Sequence, residues 1–420
     1  MNKILCVFMM ISLILSLEVA GCSNSKDADS NSDGDSDGDT DGDTDGDTDG
    51  DTDGDTDGDT DGDTDGDSDG DSDGDTDGDT DGDSDVIVPW TVPPTGQDKC
   101  YNNTEEMTCT DFPCYQEGGA DGGLDGGTDG GTGYVDFCGQ DAQYPPTSQT
   151  YIVTTVGSDN LVEDTLTGLM WQQTFAVKQK WDDAKAYCED LDYGGHTDWR
   201  LPTIIELTML MKLDGSEPGI DITAFPGTTK DRFWSSSVSH KSGISRWSVD
   251  FGPGPVIAVS GESFEYSARC VRHNKLTLGK FEVETISSER VVKDLGTELM
   301  WQGCLAGKSG ADCTSGTAEK RTWKDALAYC EGLSWAGFDD WRLPNRNELI
   351  TIIDFHTIEP SLDTDAFPEA IPDGSLWASS TYLNSYYNNA KMAWNARMTD
   401  GELFEVTKNK YTYNTYCVRN

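Results

Sequence analysis

The 420 residues carry 78 Asp and Glu against 29 Lys and Arg, a formal net charge of −49. That balance excludes nucleic acid as a partner of the surface at large, because phosphate backbones are repelled. The length allows two or three domains.

The chain opens on Lys3 and an apolar run from Ile4 to Leu17. The run is too short to span a bilayer and suits the core of a signal peptide. Val19-Ala20-Gly21-Cys22 follows and resembles the lipobox of bacterial lipoproteins. The resemblance implies a signal peptide over residues 1–21, a lipidated amino-terminal stretch over 22–32 and acyl chains on Cys22. Ser23, where an Asp would retain the protein at the inner membrane, implies sorting to the outer membrane. Several acyl chains on one residue anchor stably where a single one binds marginally.

From Asp33 to Asp85 every odd position is Asp, with Gly and Ser or Thr between. With no apolar group to offset chain entropy, 33–85 is expected to be a disordered tether extended by its own charge. Pentads such as Gly66-Asp67-Ser68-Asp69-Gly70 fit the G-x-S-x-G nucleophile pattern but lack its strand–turn–helix setting. Asp33, Asp35, Asp37 and Gly38 match the start of a calcium loop, yet its twelfth position falls on Thr44 instead of a Glu. Weak calcium association with the tether is expected, and no other cofactor or metal.

Residues 86–150 read as a proline-punctuated connector (Pro89, Pro93, Pro94) and a small cysteine-rich stalk. Apart from Cys6 and Cys22, ten cysteines remain, an even number in an exported chain, which argues for disulfides. Cys100, Cys109, Cys114 and Cys138 are expected to form two local bridges, with the pairing left open.

The rest of the chain repeats. Trp181, Cys188, Trp199, Glu206, Asp221, Phe225 and Pro226 recur as Trp323, Cys330, Trp341, Glu348, Asp363, Phe367 and Pro368. Leu169-Met170-Trp171-Gln172 recurs as Leu299-Met300-Trp301-Gln302, and both copies close on Cys-Val-Arg, at Cys270 and Cys417. Two tandem domains are expected, 151–273 and 274–420, each large enough to bury its own core. In each copy the order is strands, two helices, then strands, which is α+β with an antiparallel sheet. Trp181, Ala184, Cys188 and Leu191 at helical spacing place Cys188 on the buried face of the first helix, and Cys330 likewise. Thr203 with Glu206, and Asn345 with Glu348, form capping boxes opening a second helix over about 203–213. Just upstream, Trp199, Arg200, Trp341 and Arg342 read as structural: a buried Trp and an Arg locking the turn. One cysteine on the first helix and one on the last strand predict Cys188–Cys270 and Cys330–Cys417. Cys304 and Cys313, present only in the second copy, are expected to staple a local insertion.

Together, Gly-Leu-Met-Trp-Gln, Trp-x-x-Ala-x-x-Tyr-Cys, Asp-Trp-Arg-Leu-Pro, Trp-Ser-Ser-Ser and Arg-Cys-Val-Arg resemble the domain of unknown function 1566. That family includes the carboxy-terminal domain of a Legionella collagen-like adhesin. The elements are also similar to the superfold shared by C-type lectins and formylglycine-generating enzymes. The resemblance implies two lectin-like domains and binding at a cell surface. It departs from calcium-lectin motifs at Glu217-Pro218-Gly219, Glu359-Pro360-Ser361 and Trp394-Asn395-Ala396. A sulfated polysaccharide, suggested by the adhesin relative, meets an acid-rich surface in each repeat.

Catalysis is not expected. His196, His240, His273 and His356 share no metal-ligand spacing, and Ser235 to Ser237 beside His240 lack a nucleophile elbow. Recognition finds more support in the second copy, at Tyr382, Tyr386, Tyr387, Asn388, Asn389 and Trp394, and again from Lys410 to Asn414. Tyr, Ser and Asn supply rigid contact and adaptable hydrogen bonds. The expectation is a lipid-anchored, surface-exposed outer-membrane protein with the membrane and a glycan or protein as partners. An enzyme or accessory of the formylglycine-generating type and a purely structural envelope protein are the alternatives.

Overall fold

The computed structural model describes residues 87–109, 136–144, 149–239, 245–252, 256–260, 263–368, 374–383 and 390–420. The expected signal peptide, Cys22, the tether, Cys114, Tyr386, Tyr387, Asn388, Asn389 and His240 lie outside them. Both repeats and the segment before them fall in one unit, Thr80–Asn420.

That segment pairs β1 (Cys100–Tyr101) with β2 (Glu106–Met107). The first repeat then begins with β3 (Tyr151–Val156), β4 (Asp159–Asp164), β5 (Met170–Gln172) and β6 (Ala176–Gln179). α1 (Trp181–Glu189) and α2 (Ile204–Met209) follow. β7 (Arg232–Ser239), β8 (Ser245–Asp250), β9 (Ile257–Ser260), β10 (Tyr266–Ala268) and β11 (Val271–Arg272) complete it. The second repeat runs β12 (Phe281–Ile286), β13 (Glu289–Asp294) and β14 (Met300–Gln302), then the small hairpin β15 (Lys308–Ser309) and β16 (Ser315–Gly316). After it come α3 (Trp323–Glu331), α4 (Arg346–Leu349), β17 (Ser375–Thr381), β18 (Met392–Arg397), β19 (Leu403–Thr407) and β20 (Val418–Arg419). The architecture is α+β with far more strand than helix.

In each repeat a four-stranded antiparallel sheet starts from a tight hairpin and ends on the closing Cys-Val-Arg strand, in the orders β3-β4-β5-β11 and β12-β13-β14-β20. The β3–β4 turn needs left-handed backbone at its first position, and Gly157 supplies it at φ 63°; Ser287 and Ser288 adopt φ 51° and 71° in the second hairpin. Along the inner strands both faces of each sheet are covered. Leu161 and Met170 face a cluster around Cys188 and Cys270, whereas Val162 and Trp171 face the opposite way. Val291 and Val292 divide in the same manner.

The second faces of the two sheets feed a single cluster. Besides a private cluster around its own disulfide, each repeat contributes to one common core: Trp171, Leu207, Phe225 and Trp247 from the first, Trp301, Leu349, Phe367 and Trp394 from the second. Trp247 Nε1 donates to Phe355 O at 3.0 Å and its ring meets Phe355 edge-on at 5.0 Å. The expectation of a self-sufficient core in each copy therefore describes only the disulfide side.

The three predicted pairings are present, Cys188–Cys270, Cys330–Cys417 and Cys304–Cys313, and among the stalk cysteines, whose pairing the sequence left open, Cys100 bonds Cys109. Cys138 is also disulfide-bonded. The two long bridges, spanning 82 and 87 residues, contribute roughly 4 to 5 kcal/mol each in the chain-entropy model.

Two expectations change. The second helix is shorter than 203–213: α2 ends at Met209, and α4 gives way to a tighter turn over Ile350–Ile352. Every residue of α2 and α4 is buried, so these turns are a plug inside the molecule with no solvent face to extend along. Nor do residues 87–109 and 136–144 stand off as a stalk. Trp90 donates through its amide to Gly296 O and through Nε1 to Thr277 O, and Asn347 Nδ2 donates to Pro93 O. Gln97 bonds Leu213 O in one repeat and Thr381 in the other. Buried backbone groups need partners, and this segment supplies them at the seam between the repeats.

Candidate functional site

The duplicated Asp-Trp-Arg-Leu-Pro stretch is a structural lock. Both capping boxes form: Glu206 N donates to Thr203 Oγ1, and Glu348 N to Asn345 Oδ1. The same glutamates hold the motif arginines in bidentate pairs, Arg200–Glu206 at 2.7 Å on both arms and Arg342–Glu348 at 2.6 and 2.7 Å. Arg200 exchanges backbone hydrogen bonds with Val271, and Arg342 with Val418. Arg272 forks onto Asp198 at 2.9 and 3.1 Å, as Arg419 does onto Asp340 at 2.6 and 3.0 Å. Those hydrogen bonds hold both aspartates below the usual carboxylate range. Trp199 Nε1 and Trp341 Nε1 donate to Tyr193 O and Trp335 O, completing the turns. The motif thus ties the last strand to the entry of the second helix and leaves no donor aimed at solvent from either Trp.

A buried carboxylate sits where the segment before the repeats meets the second repeat. Asp141 accepts from Thr95 Oγ1 at 2.5 Å and from Ser380 Oγ at 2.6 Å. Burial pushes it up from 3.8 to about 6, against the pull of those two hydroxyls. Because the folded value lies above the unfolded one, this carboxyl favours folding most below about pH 4, and that advantage is lost as pH rises through about 6. Carrying the charge in the folded state costs about 3 kcal/mol at pH 7. Asp141→Asn keeps an oxygen for both hydroxyls. It is expected to raise stability at pH 7, with the gain vanishing toward pH 4, as read from urea midpoints of variant and wild type at both values.

Of the expected ligand residues, Tyr382 and Trp394 lie within the described residues, and both turn inward. They pack edge to face at 5.2 Å in the common core. With Met211, Leu213 and Gly219 of the first repeat they border a pocket of ≈ 20 Å³, room for about one water. Beneath it Arg346 is fully buried, its guanidinium 5.6 Å from the Trp394 ring and Nη1 3.7 Å from Met211 Sδ. Burial lowers Arg346 to about 9.

The aromatic group that does reach solvent is present in both copies. In the second repeat, buried Trp377 meets Tyr413 edge-on at 5.1 Å, and Tyr411 stacks on Tyr413 at 6.2 Å and 29°. In the first, buried Trp234 lies against Tyr266 at 4.5 Å, and Phe264 stacks on Tyr266 at 5.9 Å and 28°. Each ladder climbs from a core Trp through a half-buried Tyr to an outer ring, Phe264 at 41% exposure and Tyr411 at 42%. The Trp ends are pinned, Trp234 Nε1 donating to Gln179 O and Trp377 Nε1 to Arg321 O. Tyr266 pairs with Gln179 across β10 and β6, and Tyr413 with Arg321 at the matching place. Lys410 Nζ lies 4.8 Å from the Tyr411 ring centre, adding a cation beside the outer ring of the second ladder. Tyr411 and Tyr413 fall in the recognition stretch read from Lys410 to Asn414. Phe264 and Tyr266 were missed, though counting back from the closing cysteines puts them level with Tyr411 and Tyr413.

The family model of the Lcl C-terminal domain matches residues 160–272 and again 290–419, more than half of the chain. The chain belongs to this family. Each Lcl C-terminal domain here contains one capping box, one long disulfide and one aromatic ladder, and each match runs out at the closing Cys-Val-Arg. No curated protein matches the chain. Among the described residues, no helix is long and apolar enough to cross a membrane.

Proposed function

We propose that this is a lipid-anchored surface protein of the outer membrane that binds a ligand through its two aromatic ladders and performs no catalysis. The observation that carries the reading is the ladder itself, repeated with its outer ring exposed in both copies. An exposed large ring backed by a Tyr that itself rests on a buried Trp offers a flat apolar face at little entropic cost. The C–H face of a sugar ring suits such a face, so a glycan is the ligand class we favour. Membership of the Lcl C-terminal domain family is compatible with an adhesin-like role. The bridge from first helix to last strand, Cys188–Cys270 and Cys330–Cys417, supports a C-type-lectin-like description of each repeat. Lipidation at Cys22 would hold the chain at the membrane, and the acidic tether would keep the repeats clear of it. The enzymatic alternative of the formylglycine-generating type needs free thiols, whereas every cysteine among the described residues is bridged.

A glycan array probed with wild type and with Phe264→Ala/Tyr411→Ala tests this. Each ring is expected to account for up to roughly tenfold in affinity, while the melting temperature stays put because both rings are exposed. Undiminished binding by the double variant, with loss on Tyr386→Ala/Tyr387→Ala instead, would move the site to residues 384–389 and overturn the ladder assignment.

A further inference from the structure

The outer strand of the first repeat is built for pairing. β3 is the edge of its sheet, and beyond Tyr151, which packs on Phe225 at 5.2 Å, its residues are exposed. Ile152, Val153 and Val156 show 52, 44 and 41% of their surface. The sequence Tyr151-Ile-Val-Thr-Thr-Val156 has no charge, no proline and no glycine. Natural edges are usually blunted by charges, prolines or bulges. The second repeat follows that rule: at β12, in the same place, Glu282 and Glu284 stand where β3 has Ile152 and Thr154, and Glu284 pairs with Lys293. The unguarded edge is thus peculiar to one copy.

The hydrogen-bonding groups of β3 that find no strand partner among the described residues can be assigned. Thr165 N donates to Thr150 O, so Thr150 faces β4, and by alternation Ile152, Thr154 and Val156 do too. Tyr151, Val153 and Thr155 therefore present their amides and carbonyls outward. A strand whose outward residues are centred on Val153 is self-complementary. An antiparallel copy related by a two-fold axis at Val153 sets Val153 against its own counterpart and Tyr151 against Thr155, each facing pair exchanging both hydrogen bonds.

We propose that β3 is a self-association edge, joining two copies of this chain into one continuous sheet about a two-fold axis at Val153. Charge selects the occupant. Two copies of a chain with net charge −49 repel along most approaches, and this edge is one along which no acidic side chain of the strand meets another. A charged extended peptide finds no counter-charge there. Pairing of two six-residue edges buries less than a standard interface, so the dimer is weak in dilute solution and gains from confinement at a surface.

Val153→Cys in the full chain is the direct test. Under mild oxidation it is expected to give a disulfide-linked homodimer, while Val283→Cys, the matching position on β12, stays monomeric. By sedimentation, wild type is expected to dimerise with rising concentration and Val153→Lys to do so at least tenfold more weakly. Equal cross-linking of the two cysteine variants, no cross-linking of Val153→Cys, or a Val153→Lys variant that associates like wild type would overturn the proposal. So would capture of an extended foreign peptide by a chain that remains monomeric.

Discussion

Glu348→Ala is expected to destabilise the chain by about 3 to 5 kcal/mol, read as a fall in the urea or guanidinium midpoint. Both members of the Arg342–Glu348 pair are almost wholly enclosed, with 9% of each side chain exposed. Glu348 also accepts from the Asn345 amide, so its loss strands a buried guanidinium and opens a helix entry together. Arg342 keeps a bond from Nη2 to Asn420 Oδ1, too little to replace a bidentate carboxylate. Glu206→Ala provides the comparison: Arg200 has 21% of its side chain exposed, so water takes up part of the lost interaction and the cost is smaller. Replacing Arg342 and Glu348 together by Leu is expected to recover part of the loss, because no uncompensated charge then remains. A cost for Glu348→Ala below about 1 kcal/mol would show that the lock is dispensable.

Trp247→Ala is expected to be as damaging, about 3 to 5 kcal/mol, and to act on both repeats. The ring is fully buried, closes on Phe355 of the other repeat and donates to its carbonyl. Truncation leaves a large void in a core that draws side chains from both copies. Wild type should therefore unfold in a single transition, followed in parallel by calorimetry and by exposure of the private clusters. A wild-type chain that melts in two separated steps would contradict the common core. So would a Trp247→Ala variant in which the second repeat keeps its full stability.

Much of this was legible in the sequence where the signal is local or duplicated. Trp181, Ala184 and Cys188 declared a helix with a cysteine on its inner face, and the recurrence at Trp323, Ala326 and Cys330 made the partner on the last strand easy to name. Thr203 and Glu206 announced a cap because a capping box needs only four residues. The packing of 87–109 was hidden. Proline, threonine and glutamine look like solvent residues, and the partners of Thr95 and Gln97 lie tens to hundreds of positions away. The common core was hidden for a related reason: a strand whose two faces are both apolar, such as Leu161-Val162, does not say which neighbour covers which face. The first ladder escaped because the copies drift in spacing between Trp-Arg-Leu-Pro and Cys-Val-Arg. Registering on the first motif places Phe264 opposite the wrong residues, and registering on the cysteine restores it.

The seam-filling segment also settles how a pull on the amino terminus is received. Tension arriving through residue 87 reaches Trp90, Asn347 and Gln97 before any strand of either repeat, and the Cys100–Cys109 loop next. Beyond that point the helix-to-strand cystines short-circuit most of each repeat's length. Stretching would peel a short clasp off the body and leave the folded cargo intact, which is how a shock absorber yields ahead of what it protects.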